Sequence, residues 1–228
     1  MDTLVLDKAL GILNTHKDEW ARLPITEKIP LFQGVSKKTA EVAENWAAVA
    51  VNAKSIPESS PLVGEEWASG PWALIYGIES MVGTLQSLDK GKNPPIGKVR
   101  TMSSGQVIAD IFPYNIYQRL LLSGIRAEVW MQDDVTEDNF TENVAKVYKS
   151  DDQSGQVSLV LGGGNIASIP PLDVLDRLFA HKSVCVLKVH PVNDYLKEIF
   201  DSIFEDFVSA GYLQIVSGGA DVGNYLCQ

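Results

Sequence analysis

Between residues 159 and 175 the chain reads LVLGGGNIASIPPLDVL. An apolar run ends at Gly162, Gly163 and Gly164, Asn165 follows, and two prolines then open a helical stretch. Glycines at such a turn let a backbone approach a phosphate closely. The Asn165 amide can donate to a developing oxyanion without changing its charge state. Gly162, Gly164 and Ala167 fit the dinucleotide pattern G-x-G-x-x-G/A between a strand and a helix. That pattern places an acid about twenty residues on, at the end of the next strand, and Lys188 stands there instead. A lysine can donate to ribose hydroxyls or meet a 2′-phosphate, but it cannot accept from the hydroxyls. Read on their own, the glycines serve equally well as devices for close strand–helix packing, and Asn165 as a turn residue.

A third apolar run, YLQIV, leads into Ser217, Gly218, Gly219, Asp221 and Gly223. The second run is followed by His190 and Pro191. His16, His181 and His190 are too scattered for a close-spaced metal site, so no metal is expected. No G-x-S-x-G elbow or P-loop lysine is present. Asp201, Glu205 and Asp206 fall on the polar side of an amphipathic helix and read as solvated surface. Cys185 lies within the apolar run SVCVLKV, where a thiol behaves as a small hydrophobe.

The elements that would position these residues can be read from periodicity. The first half is helical, with stripes at Leu6, Ala9, Leu10 and Leu13, then Thr39, Val42, Ala43, Trp46, Val49, Ala50 and Ala53, with Ser36 placed as a cap. Turn residues over 55–70 interrupt it, and Pro71 opens a further helix with the stripe Trp72, Ile75, Ile78, Met81, Val82 and Leu85, all read as core. Residues 97–113 predict two short strands joined at Ser103–Gly105, then a helix in YNIYQRLLLSG, a strand over 125–132 and a helix over 136–150. The last third predicts β-α-β-α-β-(α): strands in QVSLVLG, SVCVLKV and YLQIV, a helix from Pro170 to Ala180, and a helix capped by Asn193 and stopped by Gly211. Near-continuous apolar strands alternating with amphipathic helices indicate a parallel sheet covered on its faces. The fold class is therefore α/β: a helical N-terminal segment (1–96), a mixed connection (97–156) and a Rossmann-like β-α-β-α-β half (157–228) whose sheet is incomplete.

With 228 residues and 45% hydrophobic composition, the chain can bury a sizeable core. Its net charge of −10 argues against nucleic acid as a partner. No long apolar run free of Gly, Pro and charge is present, so no membrane span is expected. Two cysteines are too few for a secreted disulfide framework, which makes a reducing cytoplasm the default.

Taken together, the segments LVLGGGNIASIPPLDVL, VCVLKVHPVNDYL and YLQIVSGGADVGNYL resemble the aldehyde dehydrogenase superfamily in order and distance. The resemblance is specific over about residues 157–228 and general before that. It implies that Asn165 helps hold the oxyanion and that Lys188 contacts the adenosine ribose or its phosphate. It also implies that Gly219 and Gly223 form a turn under the cofactor. On this reading the cofactor-binding residues are Gly164, Asn165, Lys188, Gly219 and Gly223, the cofactor is NAD or NADP, the substrate is an aldehyde and the enzyme is a homo-oligomer. The family's nucleophilic cysteine and glutamate base come later than Gly223, so the resemblance implies that this stretch does not turn over substrate alone. Pro191 departs from the family pattern, where a glutamate serves the ribose. Two other readings stay open: a non-catalytic nucleotide-binding or subunit-interaction module, and a doubly wound reductase that uses Gly162–Ala167 conventionally.

Overall fold

The computed structural model describes residues 3–113 and 115–228. The chain divides into two compact units, one running to Val82 and resuming with Asp151–Gln228, the other Gly83–Ser150. Helices α1 (Thr3–Arg22), α2 (Ile25–Ala53), α3 (Leu62–Trp67) and α4 (Ala73–Asp89) come first, with a turn at Ala68–Trp72, kinked at Gly70, between the last two. Strands β1 (Val99–Thr101) and β2 (Val107–Phe112), helix α5 (Ile116–Leu121), strand β3 (Ala127–Trp130) and the one-turn helix α6 (Lys146–Lys149) follow. The remainder is β4 (Gln156–Leu161), α7 (Ile169–Ala180), β5 (Ser183–Lys188), α8 (Lys197–Ile203), α9 (Glu205–Ser209), β6 (Leu213–Val216) and α10 (Ala220–Leu226), with a 3₁₀ turn at Pro191–Leu196 before α8.

The expected β-α-β-α-β unit is present. Strands β4, β5 and β6 form a parallel sheet in that order, with Leu161 level with Lys188 and Lys188 level with Val216. All six residues of β5 are buried, as a central strand covered on both faces requires. Helix α1 lies along all three strands and α7 along β4 and β5. An aromatic cluster fills the space between helices: Trp20 lies 5.8 Å from Phe207, Phe32 5.6 Å from Phe207, and Trp46 5.6 Å from Phe200. Edge-to-face pairs of this kind add about 1 kcal/mol each beyond the area they bury.

The second unit is a meander of antiparallel strands, β1–β2–β3, with the predicted turn between Thr101 and Val107. Val107 and Ala109 pack on Val135 and Phe140 to make its small core.

Four local expectations are corrected. Ser36 is interior to α2, not its cap; its hydroxyl donates to Glu79 Oε1 at 2.7 Å. The helix runs through Pro30, because burial of Phe32, Val35 and Thr39 outweighs one missing backbone bond. Trp72 is 55% exposed and stacks on Tyr76, while Leu74 is buried along with the expected Ile78, Val82 and Leu85. Residues 136–150 form a 3₁₀ turn at Phe140–Asn143 and the short α6, not one helix. Asn193 does not cap α8; it is buried in the 3₁₀ turn, where the His190 ring accepts from Val192 N–H.

Lys28 is buried on α2 with its ammonium 4.5 Å over the Trp20 ring. Burial, with Lys182 nearby, pushes its pKa down to about 8. The unfolded chain holds this proton up to a pKa of 10.5. Between those values the unfolded state binds more protons, so the parent gains stability as pH rises from 8 to 10.5, and below 8 the penalty is complete. Relative to Lys28→Met, the parent is expected to gain on the order of 2 kcal/mol over that range. Urea midpoints of both proteins at either end measure it; a pH-independent gap would count against the buried ammonium.

Candidate functional site

The carboxyl ends of β4, β5 and β6 are lateral neighbours on one rim of the sheet. Gly162 N–H donates to Lys188 C=O at 3.0 Å and Val189 N–H to Val216 C=O at 2.9 Å, so the pairing continues into the loops. The loops that follow are tied to one another by the segment after β5. Asn193, 2% exposed, donates from Nδ2 to Gly163 C=O at 3.0 Å. Ser217 Oγ donates to Asp194 Oδ1 at 3.0 Å. The His190 ring sits against Gly164, with Nδ1 2.8 Å from where a Cβ there would lie. Neighbouring residues Asn193 and Asp194 thus each hold a different flanking loop. Sequence reasoning missed both, because their partners lie 30 and 23 residues away.

Asn165 is exposed at the end of the glycine loop, and its amide has no hydrogen-bond partner among the described residues. The first turn of α7 follows, with Ser168 N–H bonded to Ser69 C=O at 3.2 Å. Lys188 ends β5. Cys185 Sγ lies 3.8 Å from Val174 C=O of α7. Alternation along the strand therefore turns Lys188 to the opposite face. Leu161, its partner on β4, touches α10 on that side: Leu161 Cδ2 is 3.9 Å from the Cβ position at Gly223. Lys188 is 8% exposed, and its ammonium has neither a hydrogen bond nor an ion pair among the described residues. Buried ammonium groups are ordinarily paired.

The third loop contains Gly218 and Gly219. Gly218 adopts φ 147°, and a Cβ there would stand 2.4 Å from Val222 Cγ2, so only glycine fits. Gly219 precedes α10, whereas Gly223 lies within that helix, not in the turn. Tyr225 donates its hydroxyl proton to Asp7 Oδ1 at 2.6 Å, tying α10 to α1. A cavity of about 480 Å³ opens beside this loop, lined by Val5, Lys197, Ser217, Gly218, Gly219 and Asp221. Lys197 pairs with Asp201 at 2.6 Å.

Cys185 is not an accessible nucleophile in this arrangement. Cys185 is fully buried, and burial pushes its thiol up to about 12. Cys227 is exposed at the end of α10. One thiol per chain is expected to react quickly with a disulfide reagent in the native protein and two after unfolding. Rapid native labelling of both would contradict the burial of β5. Among the described residues no cluster of three metal-ligating side chains occurs and no helix is long and apolar enough to cross a membrane.

Neither models of known protein families nor curated proteins match this sequence. Solved structures do. A putative methylmalonate-semialdehyde dehydrogenase from Sinorhizobium meliloti 1021, complexed with NAD, matches at a TM-score of 0.53 and 11% identity, over 95% of this chain and 34% of its own. A lactaldehyde dehydrogenase matches at 0.51 and 12% identity, over 94% of this chain and 34% of its own. The chain thus spans about a third of the length of these dehydrogenases. At such identities what is shared is the fold: an α/β arrangement with a helical opening and a parallel sheet, as found in aldehyde dehydrogenases.

Proposed function

We propose that this chain is the cofactor-binding portion of an NAD(P)-dependent, aldehyde dehydrogenase-like oxidoreductase of the reducing cytoplasm. The observation that carries the reading is the shared rim: a buried lysine with no partner among the described residues, between a glycine loop and a second glycine turn that borders a cavity. Those features fit a dinucleotide. The Lys188 ammonium would donate to the adenosine ribose or its phosphate, and the Gly218–Gly219 backbone would run beneath it, with Gly164 and Gly223 flanking. When bound, the dinucleotide supplies a nicotinamide that accepts hydride.

Asn165 would donate its amide N–H to the oxygen of a thiohemiacetal formed on an aldehyde substrate. The attacking thiol on this reading belongs to sequence outside these 228 residues, since Cys185 is walled into β5. The same placement of the cysteines favours, as a second reading, a non-catalytic nucleotide-binding module, which would bind the dinucleotide but never turn over.

Calorimetric titration of the purified chain with NAD and NADP tests the cofactor claim. Binding of at least one is expected, and Lys188→Met should weaken it at least about tenfold, a loss of about 1.4 kcal/mol. Absence of binding at millimolar dinucleotide would end it. Loss of binding on Gly162→Val with no effect of Lys188→Met would favour the conventional doubly wound reductase instead.

A further inference from the structure

In the unit Gly83–Ser150, helix α5 ends at Leu121 and the chain returns to β3 through residues 122–126. Gly124 turns it back at φ 94°, a left-handed conformation that favours glycine. Leu122 N–H donates to Gln118 C=O at 2.9 Å and Ile125 N–H to Leu122 C=O at 3.2 Å. Between them, the N–H groups of Ser123 and Gly124 have no acceptor among the described residues. Successive free N–H groups in a left-handed turn form a concavity suited to an anion.

This loop borders a cavity of about 430 Å³ that is also lined by Arg119 and Arg126. Neither guanidinium has an acidic or hydrogen-bond partner among the described residues. Arg100 of the same unit, by contrast, is engaged by both Asp110 and Glu128. Asp110 reaches the cavity, but its carboxylate is committed to Arg100. Residues 83–150 hold eight basic and eight acidic side chains, so the net charge of −10 resides in the other unit and this one does not repel an anion. Each guanidinium offers paired N–H groups in the fork that fits phosphate oxygens. Two forks, two free backbone N–H groups and the Ser123 hydroxyl exceed what one carboxylate accepts and suit the three terminal oxygens of a phosphate. Phe112, Leu122 and Ile125 make an apolar part of the wall. The volume lies within the roughly 300–1,000 Å³ typical of small-molecule sites, more than a bare ion needs.

We infer that this cavity binds a small organic phosphate monoester, with Arg119 and Arg126 on the phosphate and the apolar wall against the organic group. The site lies apart from the sheet rim, and the inference does not rest on dinucleotide binding. The test is titration of the whole chain with phenyl phosphate and with inorganic phosphate at constant ionic strength, followed by NMR at backbone and arginine N–H groups. Saturable shifts are expected at Ser123, Gly124, Arg119 and Arg126, with a Kd for phenyl phosphate in the millimolar range or tighter, and inorganic phosphate at least about threefold weaker. Both arginines are exposed, so Arg119→Gln/Arg126→Gln should keep the parent's circular dichroism and weaken binding at least about tenfold. Should that variant fail to fold, Arg126→Lys, which keeps the charge but loses the fork, is expected to weaken it about threefold. Lys188→Met should leave phosphate binding unchanged. Absence of saturable shifts up to about 20 mM phenyl phosphate, equal affinity for the two phosphates, or binding indifferent to the arginine variants would overturn the inference. So would a response abolished by Lys188→Met, which would assign the anion to the rim.

Discussion

Gly155→Ala is expected to cost this protein about 3 kcal/mol or more, at the severe end of single substitutions. Gly155 sits just before β4, pressed against the last turns of α1. A Cβ there would lie 1.9 Å from Lys17 C=O and 2.2 Å from its carbonyl carbon. These are backbone atoms within a helix, so no side-chain rotation relieves the clash. The contact is also hydrogen-bonded. Gly155 N–H donates to Asp18 Oδ1 at 2.8 Å and Lys17 Nζ to Gly155 C=O at 3.4 Å. That backbone N–H holds the Asp18 carboxyl below its ordinary range. Moving β4 away from α1 would break both bonds and loosen Trp20, which is fully buried one turn on and donates to Leu178 C=O at 3.2 Å. Gly64→Ala is the control. Nothing lies within 4 Å of its Cβ position in α3. Alanine there should change stability little or raise it by up to about 1 kcal/mol. Urea unfolding of the two variants measures the difference, and equal midpoints would show that α1 and β4 do not approach so closely.

Gly155 itself attracts no notice in the sequence, which illustrates what was legible and what was not. The parallel sheet was legible because β5 is apolar from Val184 to Leu187 and β4 and β6 are largely so, with amphipathic helices between; local pattern and tertiary burial agree there. The rim followed, since parallel strands place their carboxyl ends together. Misreadings occurred where a local signal met a stronger distant or competing bond. Asn193 has the type and position of a helix cap, yet its amide serves Gly163 across 30 residues. Residues 136–150 have helical composition, but Thr136 and Asn139 bond each other's backbone, at 2.8 and 3.3 Å, and Ala145 turns left-handed at φ 55°. Side-chain-to-backbone bonds of that kind compete with a helix. The helix in YNIYQRLLLSG was legible, but not that Ile116, Tyr117, Leu120 and Leu121 stand exposed on it, because sequence marks a residue as apolar without showing whether the chain's own core covers it.

In the complete enzyme that the proposed function envisages, Asn165→Ala is expected to lower turnover by roughly a hundredfold or more, with little change in dinucleotide affinity. The residue is exposed, so its truncation should leave the fold intact, and circular dichroism checks that. Its amide is not engaged by other described residues, which leaves an N–H free to strengthen a bond to oxygen as charge develops there. The loop that carries it is fixed from behind: Asn193 holds Gly163, the His190 ring backs Gly164, and Ser168 N–H is bonded to Ser69. A donor held this way needs no reorganisation at the moment of reaction, which is where such a group is worth several kcal/mol. Asn165→Asp should be worse than alanine, because a carboxylate of nearly the same shape presents negative charge to negative charge. Asn193→Leu separates positioning from donation. It leaves Asn165 in place but releases Gly163, so kcat should fall less than with Asn165→Ala and recover in part with Asn193→Gln. If Asn165→Ala and Asn165→Asp both keep full turnover, the amide donates to nothing that matters, and the glycine loop is a device for packing β4 against α7.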